Sequence, residues 1–374
     1  MNFHIPIHYR FAASALALAG ILFSAAAQTQ SLPAKGTVQR IKVHGKSLEG
    51  NLEGDSPDRE VSIYLPPRYD SESTRHYPAI YLLHGYFLTD QYWTGTAPAL
   101  NIPGVKVLAA DVPAAMDEGI AKGTLQPMIV VMPNAYTKYA GSMYSSSATT
   151  GDWESYIAED LVAYVDSHYR TIRNRLARGL VGHSMGGYGA VRIGMKRPDV
   201  FASLYIMSAC CLMDNPVPPA PPAPPAPPTN SGQSNAPPVP NPFAQVTLAR
   251  AAAWSPNPTH PPEYLDMPTK DGQPQPLVIA KWAANSPLAM IDQYVSNLKK
   301  YHAIGGDVGL QDGLSGANRQ MDQAFRDYGI KYEFQTYEGD HTNKIPERMG
   351  TTVLPFFSKN LTNGGNLAAS GKGM

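Results

Sequence analysis

Gly182-His183-Ser184-Met185-Gly186-Gly187 follows the apolar run Arg178 to Val181 and opens a helix-compatible segment that ends near Lys196. A serine therefore stands where a strand turns sharply into a helix, which is the setting of a nucleophile elbow. The turn holds the serine in a strained backbone conformation, and side chains at positions 182 or 186 would collide with the neighbouring strand and helix. In a chain with 32 glycines a Gly-x-Ser-x-Gly match alone says little. Its weight depends on whether the rest of the chain supplies a base, an acid and an oxyanion hole.

On the N-terminal side of the elbow, Val38 to Val43 and Val61 to Leu65 read as strands, the second stopped by Pro66-Pro67 because proline has no amide hydrogen for the ladder. Tyr77 to Leu83 is almost wholly apolar or aromatic, which suits a strand buried on both faces. His84-Gly85-Tyr86-Phe87 follows it. In a doubly wound sheet the loop leaving such a strand passes close to the elbow, so the backbone amide of Tyr86 is the first expected oxyanion donor and that of Met185 the second. Gln91 to Lys122 is expected to form a loop and a short helix over the site edge, and Met128 to Met132 a further buried strand. Asp152 is the natural N-cap of a helix over Trp153 to Tyr169, whose Ile157, Leu161, Tyr164 and Val165 share one face.

On the C-terminal side, Val200 to Met207 reads as a strand ending in Ser208 to Leu212 at the carboxyl edge of the sheet, where ligands bind in such folds. Residues 215–242 carry a Pro-Pro-Ala repeat that forms neither helix nor sheet and reads as a stiff polyproline insertion in the domain. Ser255 to Gln275 is a second proline-rich, loop-like stretch. A helix near Pro287 to Lys299, a strand at His302 to Gly306, a helix at Ala317 to Tyr328, a strand at Lys331 to Tyr337 and a helix near Ile345 to Phe357 complete the pattern. Alternating strands and helices imply a mostly parallel central sheet with helices on both faces, one α/β domain over residues 36–360 and a flexible glycine-rich tail at 361–374.

The 374 residues, 43% of them hydrophobic, suffice for one large core, and 30 basic against 30 acidic residues leave no electrostatic case for a nucleic-acid or anionic-membrane partner. Residues 1–27 read as a cleavable export signal: Arg10, then the apolar run Phe11 to Phe23, then Ala25-Ala26-Ala27 before Gln28. The apolar run is shorter than the roughly 20 residues that span a bilayer. The expected location is therefore secreted or periplasmic. The two cysteines, Cys210 and Cys211, are adjacent, which excludes a disulfide framework and suggests two buried free thiols.

A serine hydroxyl becomes a competent nucleophile when a neutral imidazole takes its proton, and a carboxylate orients that imidazole. His341, after the last strand, is the best base. His183 faces away from its neighbour's hydroxyl in an elbow, His84 belongs to the oxyanion loop, His260 lies between prolines and His302 begins a strand. Asp214, Asp307, Asp312 and Asp340 compete as the acid. Asp340 adjoins His341 and cannot curl back to its Nδ1, and triad geometry favours Asp312 over Asp307, which would then be a solvated turn residue. The order serine, acid, histidine is that of α/β-hydrolases.

The strings LLHGY (82–86), GHSMGG (182–187), SACC (208–211), GLQDGL (309–314) and YEGDHTN (337–343) together resemble the esterase D-type branch of the α/β-hydrolase superfamily. That branch includes S-formylglutathione hydrolases, feruloyl and acetyl-xylan esterases and the antigen 85 mycolyltransferases. The resemblance covers most of Arg59 to Phe357. It implies an α/β-hydrolase fold, an acyl-serine at Ser184, base His341, acid Asp312 and oxyanion amides from Tyr86 and Met185. The proline-rich insertion and the longer Ser255 to Gln275 region depart from the family pattern.

The expected activity is that of a serine carboxylesterase working without metal or cofactor on a small or polymer-attached ester. Acyl transfer to a sugar would use the same residues, and a non-catalytic surface-binding protein is the reading from another class. Tyr86, Trp93, Tyr144 and Trp153 are expected near the mouth, suited to an aryl or plant-derived ester.

Overall fold

The computed structural model describes Met1 and residues 35–97, 107–213 and 245–363. Apart from Met1, the proposed export signal lies outside the described residues, as do Asp214, residues 215–242 and most of the glycine-rich tail. The described residues from Lys35 onward form one body.

Eight strands form its central sheet: β1 (Thr37–His44), β2 (Asp58–Leu65), β3 (Ala79–Leu83), β4 (Ile129–Pro133), β5 (Arg178–His183), β6 (Ser203–Met207), β7 (Ala303–Gly309) and β8 (Glu333–Tyr337). Their order is β1-β2-β4-β3-β5-β6-β7-β8. β2 pairs antiparallel with β1 and β4, and every other neighbour pair is parallel. The uninterrupted apolar runs of β3 and β4 follow from burial on both faces. Ala79, Tyr81, Leu83, Ile129 and Val131 enter one core, while Ile80, Leu82, Val130 and Met132 enter the other.

Helix α1 (Val112–Ala121) and the C-terminal helical run from Ile345 to Asn360 cover the second core. The first lies beneath α2 (Leu161–His168), α3 (Met185–Lys196), α4 (Val246–Trp254), α5 (Pro276–Ala284), α6 (Pro287–Leu298) and α7 (Ser315–Asp327). The expected cap is present: the Asp152 carboxylate accepts from the Ser155 amide at 3.1 Å. The helix it starts runs through a π-helical turn at Tyr156–Asp160 before α2. Among the described residues no helix is long and apolar enough to cross a membrane.

Three local expectations change. α4 and α5 were not foreseen; α5 begins with proline at its first position, where no amide hydrogen is needed. β7 extends to Gly309 rather than Gly306, which carries Asp307 into the sheet. Cys210 and Cys211 are free thiols, as expected, but only partly buried, with their Sγ atoms 2.8 Å apart.

Candidate active site

Ser184 links β5 to α3 with φ 59° and ψ −114°, a conformation that a non-glycine residue adopts only under constraint. The glycines on either side provide the room. A Cβ on Gly182 would lie 2.2 Å from the Gly186 carbonyl oxygen, and one on Gly186 would lie 2.1 Å from that of Leu83. The backbone of the elbow is tied to β6 and its exit, since Ser184 N donates to Met207 O at 3.0 Å and Cys210 N donates to Ser184 O at 3.2 Å.

His341 reaches this serine from the loop after β8. Its Nε2 lies 2.9 Å from Ser184 Oγ and its Nδ1 lies 2.8 Å from Asp312 Oδ2. An ionised carboxylate can only accept, so Nδ1 carries the hydrogen and Nε2 presents a lone pair to the serine hydroxyl. Burial works to raise the Asp312 carboxyl, but the His341 hydrogen bond and charge, the Leu314 amide and Ser208 together hold it below the usual range. Asp312 Oδ1 accepts from Leu314 N at 2.8 Å, which fixes the carboxylate plane.

Gln311 joins the turn that carries Asp312 to the loop that carries His341. Its amide donates to Gly339 O at 3.0 Å, and its Oε1 accepts from Gly339 N at 2.7 Å.

Asp307 is not the solvated turn residue expected from the sequence. It is wholly buried in β7, where its Oδ2 accepts from Arg348 Nη2 and Nε at 2.7 and 2.9 Å and from the Tyr205 hydroxyl at 3.0 Å. Asp340 caps its own turn, with Oδ1 accepting from the amides of Thr342 and Asn343, both at 2.8 Å.

The Tyr86 and Met185 amides donate to no group among the described residues. Met185 N is the first amide of α3, which has no partner within its helix and carries the positive end of the helix dipole. The Tyr86 amide is aimed by His84. Buried His84 accepts from Ala135 N at Nε2, so its Nδ1 carries the hydrogen and donates to Gly85 O, both at 2.8 Å. In a trans peptide the carbonyl and amide point opposite ways, so holding Gly85 O toward His84 turns the Tyr86 N–H away from it. Gly85 passes over Ser184: a Cβ there would sit 3.4 Å from Ser184 Cβ. Burial pushes the His84 imidazole down to about 4, so it is neutral at working pH.

A recess of about 70 Å³ opens beside Ser184, lined by Tyr86, Phe87, Leu88, Tyr92, Val107 and Thr342. Of the four aromatic residues expected at the mouth, Tyr86 lines this recess, whereas Trp93, Tyr144 and Trp153 are core residues with at most 1% exposure. Trp93 packs against Tyr92, the Tyr144 hydroxyl donates to His84 O and Trp153 Nε1 donates to Thr150 O. Their ring area is consumed by the fold, and the wall beside the serine comes from Tyr86, Phe87 and Leu88 after His84-Gly85 together with Tyr92, Val107 and Thr342. Adjacency to that loop was the available signal for Phe87 and Leu88. Nothing in the local sequence marks the partners of His84 and Gln311.

The model of the Esterase family matches residues 56–345. An esterase of Mycobacterium tuberculosis is 28% identical over 144 residues, covering 38% of this chain and 27% of the relative. The S-formylglutathione hydrolase of Rattus norvegicus is 28% identical over 168 residues, covering 42% of this chain and 53% of the relative. The matched segment thus spans about a quarter to a half of these curated relatives. A solved ferulic acid esterase aligns over 88% of this chain and 100% of its own with a TM-score of 0.61 and 21% identity, a likeness of fold, that of the α/β-hydrolase sheet.

Proposed function

The chain belongs to the Esterase family, and on that premise we propose that it hydrolyses carboxylic esters through an acyl-serine formed on Ser184. The observation that carries this reading is the continuous relay from Asp312 through His341 to Ser184, with contacts of 2.8 and 2.9 Å. His341 Nε2 takes the hydroxyl proton as Ser184 Oγ attacks the ester carbonyl carbon. The carbonyl oxygen gains negative charge between the Tyr86 and Met185 amides. When the intermediate collapses, the bond to the alcohol oxygen breaks and the imidazolium returns the proton to the leaving alcohol. Water then repeats the sequence on the acyl-serine and releases the acid. Asp312 remains ionised throughout and stabilises the imidazolium.

The recess of about 70 Å³ lies below the roughly 300 Å³ of pockets that enclose drug-sized ligands, and its wall is largely apolar. A short acyl chain fits it. An aryl acyl group finds no exposed ring on Trp93, Tyr144 or Trp153 and meets Tyr86 alone of the four expected aromatic residues. Export directed by residues 1–27 belongs to the same reading, and N-terminal sequencing of protein from the envelope or medium tests it, with Gln28 as the expected first residue.

The mechanism is tested with p-nitrophenyl acetate and a fluorophosphonate probe. Wild type is expected to turn over the ester and take the label at Ser184, and Ser184→Ala to do neither. Undiminished turnover by Ser184→Ala refutes the acyl-serine.

A further inference from the structure

We propose that His183, the residue immediately before the nucleophile, is a positioning residue that pins the loop of the base to the elbow. The inference rests on Ser184 and His341 acting as described under Proposed function.

His183 Nε2 lies 2.8 Å from the backbone carbonyl oxygen of His341. A carbonyl only accepts, so Nε2 carries the hydrogen and donates it. The side chain is 2% exposed, and its ring centroid lies 4.7 Å from that of His341, inclined by 39°. Its Nδ1 is buried without a hydrogen-bond partner among the described residues, consistent with a bare lone pair on that nitrogen. Burial first, and the neighbouring His341 second, push this imidazole down to about 3. His183 therefore stays neutral when His341 becomes an imidazolium, and it adds no second positive charge beside it.

The contact closes a short circuit. From Ser184 the chain steps back one residue to His183, crosses to the His341 carbonyl, and returns through the His341 ring to Ser184 Oγ at 2.9 Å. Gln311 ties the same loop to the turn of the acid through its two contacts with Gly339. His183 sets the base against the nucleophile, while Gln311 sets it against the acid. The first distance is the one across which the proton moves, and an ångström of misplacement in such a contact costs about 100-fold in rate.

Two substitutions of similar polarity separate positioning from packing. The amide nitrogen of glutamine reaches the place of Nε2, whereas that of asparagine stops near the place of Nδ1. His183→Gln is expected to keep kcat for p-nitrophenyl acetate within about fivefold of wild type. His183→Asn is expected to lose about 10- to 100-fold in kcat with KM within twofold, and to slow fluorophosphonate labelling of Ser184 in parallel. Thermal melting of both variants monitors folding. Should one unfold, the kcat of the other decides: asparagine near wild type, or folded glutamine as impaired as expected for asparagine, overturns the proposal. Equal kcat in two folded variants overturns it as well. Such a result, with Ser184→Ala inactive, leaves the acyl-serine reading intact; turnover by Ser184→Ala removes that reading and the proposal together.

Discussion

Replacing Asp312 and Asp307 separately by asparagine should divide catalysis from stability between two carboxylates only five positions apart. In Asp312→Asn the amide oxygen must face Leu314 N, which donates to Oδ1 at 2.8 Å. The NH₂ group then falls where Oδ2 lies 2.8 Å from His341 Nδ1. A donor there forces Nδ1 to accept and moves the imidazole hydrogen to Nε2, where it confronts the Ser184 hydroxyl it should deprotonate. Wrong-tautomer substitutions of this kind lower kcat by roughly 10⁴-fold with the fold intact. Asp307→Asn instead leaves the Arg348 guanidinium without its carboxylate. Stripping one partner from a buried pair costs about 3–5 kcal/mol. Arg348 retains 13% exposure, which places the expected loss at the lower end, about 3 kcal/mol. At roughly 2 °C per kcal/mol for a large domain, Tm falls by about 6 °C while kcat per folded molecule stays within about twofold. Thermal melts and p-nitrophenyl acetate kinetics on both variants check this. An Asp307→Asn variant inactive at wild-type Tm, or an Asp312→Asn variant within tenfold of wild-type kcat, refutes the assignment.

His84→Ala frees the Gly85–Tyr86 peptide from its 2.8 Å anchor. With one oxyanion donor misdirected, kcat should fall by about 10² to 10³ with little change in KM; steady-state kinetics showing less than a tenfold loss would remove His84 from that role. Burial first, then the hydrogen bond and charge of Asp55, push the Glu53 carboxyl up to about 9. The folded state therefore holds Glu53 neutral while the unfolded chain ionises it from about pH 4.5, so this group's stabilising contribution is full below that pH and is lost as pH rises toward 9. Glutamine cannot ionise, and Glu53→Gln should match wild type in Tm near pH 4.5 and exceed it at pH 8; equal melting temperatures at both pH values contradict the shift.

Several features were legible because their causes are local. Gly182 and Gly186 announce the elbow because any side chain there meets backbone within about 2 Å. The strands at Ala79–Leu83 and Ile129–Pro133 could be read because burial on both faces leaves no polar position in an apolar run. Asp152 could be read as a cap because its partner is three residues away.

Other features had no local cause. Whether Asp307 or Asp312 meets His341 turned on where β7 ends, and its last strand residue is Gly309, paired with Tyr337 in the sheet register. That pairing buries Asp307 and leaves Asp312 in the turn beyond. Composition showed that Trp93, Tyr144 and Trp153 are large and apolar, but not which way they point, and the sheet and its helices absorbed all three.

The amino-acid sequence by itself determined the elbow and the alternation of strands and helices, and singled out Ser184 and His341, since these depend on sterics and periodicity within a few residues. Tertiary structure alone decided the acid's partner, the wall beside the serine, and the grips of His84, His183 and Gln311 on the loops around it. Those contacts join residues from separate strands, and their distances exist only once the sheet has set its register.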